Sequence, residues 1–390
     1  MDNEQRIFSQ PLVGIHDAPS KPKDTSPTLA QPTNTYGGAM LSFKTRKRGK
    51  RRLQSLLNFR TLIATVIGII VLATLLSFSD IQKVWQIMRG FPIFGIGVLF
   101  GLFVGRELLR SGQWRVFLNA VGIHASRREA FLSLAGGDAA QILPGGLYFQ
   151  DLLISRELNV GISEPLAATT LMIWLEITIS MLALALFGLP GIPALRPVMA
   201  VCGLGSLAVL FLAHTRALHP VLNLVRRLQN RGSERQRKLS GKLLVGLEHF
   251  IGSFGTLSHP KVLLTGLALC VSYMTLTYYG FYLVCVYLGV DTIGPAQATA
   301  IYSLVLAVVD MNPLPSDLGV SELTGVGGFL AFHISTADGL AVMLTFRILL
   351  LLSEELVAIF AFLVFHEETK RLFRSDKKEA IKPENVPEAE

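Results

Sequence analysis

The sequence predicts an all-α fold: a polytopic membrane helical bundle of about six full spans plus two re-entrant hairpins of opposite orientation. Three observations carry that prediction. Of the 390 residues 51% are hydrophobic, mean hydropathy is +0.48, and only 16% are charged, against ~25% in a soluble domain. Uncharged runs such as 62–78 and 262–290 are long enough to cross a ~30 Å hydrocarbon layer at ~1.5 Å per residue. Two further apolar stretches break at proline and glycine with acids beside the break: Ala135–Asp151 (AGGDAAQILPGGLYFQD) and Asp310–Glu322 (DMNPLPSDLGVSE). Irregular backbone and charge persist at membrane depth only inside protein or a watery cavity. Paired broken segments, one in each half, point to a binding site within a transporter-like bundle.

Residues 1–58 read as a disordered, basic cytoplasmic tail. Pro11, Pro19, Pro22, Pro27 and Pro32 punctuate a weakly hydrophobic stretch, and Lys44–Arg52 (KTRKRGKRR) precedes the first span. The plainer reading of that basic run is a topological anchor, and the sharper one is regulated binding of anionic lipid. No apolar core of a cleavable signal peptide precedes the first span. Residues 59–366 form the transmembrane domain, with spans near 61–78, 92–118, 165–188, 197–213, 262–288 and 339–365. The broken stretches fall at 130–156 and 296–334. Residues 214–261 read as a basic amphipathic loop, and 367–390 as a charged cytoplasmic tail.

Basic residues set the expected sidedness. With the amino terminus inside and each broken stretch returning to its own side, Arg127, Arg128 and Arg156 stay inside. So do the 214–261 loop, with Arg226, Arg227, Arg231, Arg235, Arg237, Lys238 and Lys242, and the final tail. Only Lys83, Arg89 and Arg196 fall in outer loops. Both termini are then cytoplasmic in a cell-membrane protein. A net charge of +8 raises the question of nucleic acid, but its placement beside spans fits topology instead, and no nucleic-acid partner is expected.

Several residues are candidates for chemistry. In the second hairpin Pro313 and Pro315 cannot donate backbone hydrogen bonds and Gly319 favours a turn, so freed backbone groups face whatever sits at the break. Asp310, Asp317 and Glu322 surround it. The plainer alternative is a kinked helix with its acids in a watery vestibule. In the first hairpin Asp138 and Gln141 are three apart and share a helix face, or else belong to an ordinary cytoplasmic turn. Arg106 and Arg110 share a face of span two and suit a phosphate-bearing headgroup, unless that span ends near Gly105 and leaves them at the interface. Glu176 lies midway along span three and should face the bundle interior. In the last span Arg347, Glu354 and Glu355 stand in apolar sequence. Arg347 and Glu354 are about 10.5 Å apart along one face, so each should meet another segment, with an acid of the second hairpin the preferred partner of Arg347.

Absences narrow the function. There is no phosphate-loop motif, no H-E-x-x-H and no G-x-S-x-G. The histidines form no metal-ligand spacing, and Cys202, Cys270 and Cys285 lie in apolar segments, read as buried thiols. No catalytic residue, metal or cofactor is expected.

The stretch NPLPSDLGVSE, followed about 25 residues later by Arg347 in TFRILLL, resembles the P-x-P-G-G-L-G-x-x-E…R pattern of the flippase-like transmembrane region of lysyl-phosphatidylglycerol synthases and its stand-alone relatives. REAFLSLAGGDAAQILPGG and SRELNVGISEPLAATTLMIWLE are similar to that family's first hairpin and the span after it. The likeness covers about 60–365. Pro313, Pro315, Gly319, Glu322 and Arg347 match, Ser316 and Asp317 replace paired glycines, and Leu147 and Tyr148 follow Gly146 where an arginine is common. The synthases also carry a soluble aminoacyl-transferase domain, which the 25-residue tail here does not match, so the resemblance implies a chain that moves a lipid rather than makes one.

The expected function is therefore translocation of a phospholipid or polyprenyl-type lipid between leaflets, without catalysis. Its partners are membrane lipids, with enzymes of a lipid or glycan pathway and self-association both compatible with it. The alternative is a non-catalytic membrane scaffold or accessory subunit of such a pathway. An embedded transferase is the weakest reading, since no nucleophile–base set is visible.

Overall fold

The computed structural model describes residues 73–74, 77, 80–140, 148–158, 160–213, 250–310 and 319–366. The expected first span, the 214–249 part of the basic loop, both tails, and the tips of both hairpins at 141–147 and 311–318 lie outside them. All regular structure among the described residues is helical.

The elements in order are α1 (Ile81–Arg89), α2 (Ile93–Ala120), α3 (Arg127–Ala139), α4 (Phe149–Glu157) and α5 (Ser163–Phe187). They continue with α6 (Leu195–Ala213), α7 (Pro260–Tyr287), α8 (Pro295–Asp310), α9 (Val320–Ala331) and α10 (Thr336–Val364). Three of them, α5, α6 and α7, are long and apolar enough to cross a membrane by length and composition, and the bent pair α1–α2 raises this to four. Helix α10 has the length as well, at 29 residues, but carries Arg347, Glu354 and Glu355 in its middle. The chain is a helical membrane protein. The predicted spans at 92–118, 165–188, 197–213, 262–288 and 339–365 correspond to α2, α5, α6, α7 and α10.

One helix was not expected. The loop holding Lys83 and Arg89 folds into α1, capped by Asp80, whose side chain accepts from the amides of Gln82 and Lys83. It meets α2 at a bend of 81°. Val84 packs with Leu340 and Ala341 of α10, while Ile81 and Trp85 stay exposed. Nine residues with apolar positions on one side are too short for a span and long enough to lie along one.

The core is built on α2 against α7. Leu99, Phe103, Trp114 and Phe117 of α2 and Tyr273, Phe281 and Val284 of α7 are almost wholly buried. Between apolar helices in lipid the drive is close packing and hydrogen bonding rather than water exclusion. Both are present here: Gly266 lets the Phe117 ring lie against the α7 backbone, and Gln113 donates to the Gly266 carbonyl at 2.8 Å.

The two hairpins approach α10 from its opposite ends. At its carboxyl end the Arg128 guanidinium lies 5.4 Å over the Phe365 ring, and Phe131 and Phe149 join Phe362 in one cluster. From there α3 runs back along α10 toward Glu354, ~15 Å for ten residues. At the amino end, residues 332–335 join α9 to α10, and Lys83 reaches Asp338 at 3.3 Å. From there α9 and α10 lie side by side, so that Glu322 meets Arg347.

The arms of the first hairpin approach closely because the sequence AGG places no side chain between them. A Cβ on Gly137 would stand 2.8 Å from Gln150 Cβ, and one on Gly136 would overlap the Leu153 side chain.

Candidate functional site

The charged residues of the apolar segments gather in two groups. The first belongs to the second hairpin. Gly319, with φ of +85°, turns the chain into α9, a conformation that costs glycine nothing. Its amide donates to Glu322 Oε2 at 2.7 Å, and Ser321 Oγ donates to the same oxygen at 2.9 Å. Arg347 Nη1 donates to Glu322 Oε1 at 2.7 Å and to Ser321 Oγ at 2.6 Å. Glu322 is 1% exposed, so its charge is held by the arginine, a hydroxyl and a helix amino terminus together. Arg347 therefore meets the acid of the second hairpin, as its position suggested.

The second group lies two turns along α10 and draws on five helices. Arg106 pairs with Glu107 beside it and with Glu354 of α10 at 2.8 Å. Arg110 pairs with Asp138 at the tip of α3 at 2.6 Å, and lies 3.7 Å from Glu176 of α5 and 3.9 Å from Glu107. Tyr273 of α7 donates to Glu176 at 2.7 Å and accepts from the Cys270 thiol at 3.2 Å. Asp310 is the last residue of α8, at the end of the second hairpin's first arm.

Helix α2 runs unbroken from Ile93 to Ala120. The helix thus continues well past Gly105. Arg106 and Arg110 stand ~20–25 Å from its start, and Glu107 and Arg110 are 4% and 7% exposed. Glu176 faces the interior as expected. The arginines are not two open cations awaiting a phosphate, since both are engaged by carboxylates. Among the described residues the network holds four carboxylates (Glu107, Asp138, Glu176, Glu354) to two guanidiniums.

Beside it, Asp151 and Gln150 of α4 are both buried. Thr169 donates to Asp151 Oδ1 at 2.7 Å and accepts from Gln150 at 2.8 Å, fixing the second arm of the first hairpin to α5. Gln141, Pro313, Pro315 and Asp317 lie outside the described residues.

Glu354, expected to meet another segment, meets Arg106 of α2. Sequence reasoning left Glu107 and Tyr273 off the candidate site, although Glu107 was visible as the neighbour of Arg106. Tyr273 gave no signal, because a tyrosine in an apolar run reads as packing. Among the described residues no group of His, Cys, Asp and Glu could hold a metal ion.

A profile of the lysylphosphatidylglycerol synthase TM region matches residues 61–353. The chain belongs to this family. Comparison with curated proteins and with solved structures finds no match. The matched span of the lysylphosphatidylglycerol synthase TM region takes in α1 to α9 and α10 as far as Ser353, so the Glu322–Arg347 pair and Arg106, Glu107, Arg110, Asp138 and Glu176 all lie within it. Glu354 is the first residue beyond.

Proposed function

We propose that this chain moves a phospholipid between the leaflets of the cell membrane, with the headgroup passing between the two hairpins while the acyl chains stay in lipid. The observation that carries the reading is the convergence of two half-length hairpins, from opposite ends of α10, on buried charges at its middle. Arg347 and Glu354 are ~10.5 Å apart along that helix, about the size of a headgroup. Polar groups at such depth are costly and mark a pathway more often than a prop.

In this reading the bundle has about six full spans, and each hairpin is re-entrant, with arms of 9 to 16 residues that reach ~14–24 Å, short of a ~30 Å hydrocarbon layer. Both termini are cytoplasmic. The Lys83–Asp338 contact supports this sidedness, since it joins two connections that the basic-residue count assigns to one face. The Arg128–Phe365 contact does the same for the opposite face.

The excess of carboxylates favours a headgroup carrying a positive group as well as phosphate, with an amine drawn to Glu107, Glu354 or Glu176. The family description names lysylphosphatidylglycerol, whose headgroup has that character. The chain acts as a carrier and not as an enzyme.

Headgroup selectivity tests this. Short-chain phospholipids added to the purified full chain should raise its melting temperature by mass action if they bind the folded state. Lipids with cationic or zwitterionic headgroups should stabilise it more than phosphatidylglycerol. Equal effects of all headgroups, or none, would overturn the headgroup assignment and favour a scaffold.

A further inference from the structure

A cavity of about 470 Å³ lies along the carboxyl-terminal half of α5. Its floor is α5 (Ile179, Ala183), one wall is α6 (Leu207), and the other is α7 and α8 (Val271 to Tyr282, Pro295, Thr299). Leu186, Val271 and Tyr279 at its mouth are exposed, while Met274 and Tyr278 at its inner wall are buried.

Its shape and its chemistry agree on an occupant. Along α7 the lining runs from Leu267 to Tyr282, ~22 Å at 1.5 Å per residue, about three-quarters of a ~30 Å hydrocarbon layer. A cavity of that length with an apolar lining has room for a hydrocarbon chain laid along it. Three of the hydroxyls in the walls are engaged within the protein. Thr275 donates to the Val271 carbonyl at 2.7 Å and Thr299 to the Pro295 carbonyl at 2.8 Å, so both present methyl groups. The Tyr278 hydroxyl is taken by Ser180 at 3.4 Å. A lining this apolar asks its ligand for few hydrogen bonds.

We propose that this cavity holds a single straight acyl chain of a membrane phospholipid, lodged lengthwise between α6 and α7. The mouth faces the hydrocarbon layer, where lipid chains are the long apolar molecules present, and an empty slot would forfeit dispersion contacts along both walls. At the inner end the Tyr278 ring meets Tyr302 edge-on at 6.3 Å. The inference rests on the lipid-handling reading and adds where the lipid is gripped by its tail.

Photolabelling of the full chain in nanodiscs tests it. Phosphatidylglycerol with a diazirine near the end of one acyl chain should label Ile179, Ala183 and Met274 well above Leu363, a membrane-facing reference that is 70% exposed. Leu207→Trp or Ala183→Phe should fill the slot and bring that labelling down to the reference. Two variants on different helices guard against one failing to fold. Labelling no stronger than at Leu363, labelling unchanged in a folded filled variant, or labelling by a prenyl-phosphate diazirine in place of the acyl probe would overturn the proposal. Transport by the unmodified chain, measured alongside, separates the two readings. Labelling without transport sinks translocation alone, and transport without labelling sinks the acyl slot alone.

Discussion

Arg347 and Glu322 form a buried ion pair between α10 and the start of α9, 2.7 Å apart, with Ser321 bridging them. The pair does two jobs at once. It neutralises a carboxylate that is almost fully buried, and it holds that carboxylate where it caps the amide of Gly319.

Removing one partner strands the other. Glu322→Gln or Arg347→Gln should each cost about 3–5 kcal/mol, whereas the double substitution should recover most of that loss. Thermal unfolding of the four proteins in one detergent measures it. Two stable single variants would show that the charges are solvated rather than coupled. Glu322→Gln keeps some capping ability, so Arg347→Gln should be the more damaging.

Arg110 should be the least replaceable residue of the second network, because it touches carboxylates from α2, α3 and α5. Arg110→Gln leaves Asp138 and Glu176 facing each other's charge and should destabilise the chain by ~3–5 kcal/mol. Adding Asp138→Asn should restore part of it. Arg110→Lys should fall between, since an ammonium cannot serve several acids in fixed directions. The check is the same unfolding series, and equal stability of Lys and Gln variants would contradict it.

How much of this was legible in the sequence differs between the two groups. The Arg347–Glu322 pair could be read because only a short connection separates its segments, which keeps the candidate partners few. The second network could not. Arg106 and Arg110 sharing a face suggested an open phosphate clamp, but their partners Glu354 and Asp138 stand 248 and 28 residues away, and only tertiary packing brings them in. The helices themselves were readable, since apolar length decides a span. Helix α1 was not, because nine amphipathic residues between spans look like a loop with two basic residues.

Gly137 should tolerate no side chain. Gly137→Ala sets a methyl 2.8 Å from Gln150 Cβ and 3.2 Å from its amide nitrogen, and backbone cannot yield as a flexible side chain can. A cost of about 1–3 kcal/mol follows from overpacking. Gly97, with nothing near its Cβ direction, is the control and should accept alanine with little change.

Thr169 carries the hydrogen bonds that tie α4 to α5. Thr169→Val keeps the volume and removes the donor to Asp151, leaving a fully buried carboxyl less satisfied. The expected cost is about 1–3 kcal/mol. Thr169→Ser should retain most of the stability, and a valine variant as stable as the native chain would show that Asp151 is held some other way.

The most direct measurement is the rate at which a labelled phospholipid changes leaflet in vesicles containing the purified full chain, followed by chemical quenching of the outer-leaflet label. Translocation between the hairpins predicts fast quenching of the inner pool in these vesicles and slow quenching in protein-free ones, with Arg106→Gln/Glu354→Gln lowering the rate in a folded protein. An inner pool that stays protected in the presence of correctly folded native chain, whatever the headgroup supplied, would contradict it.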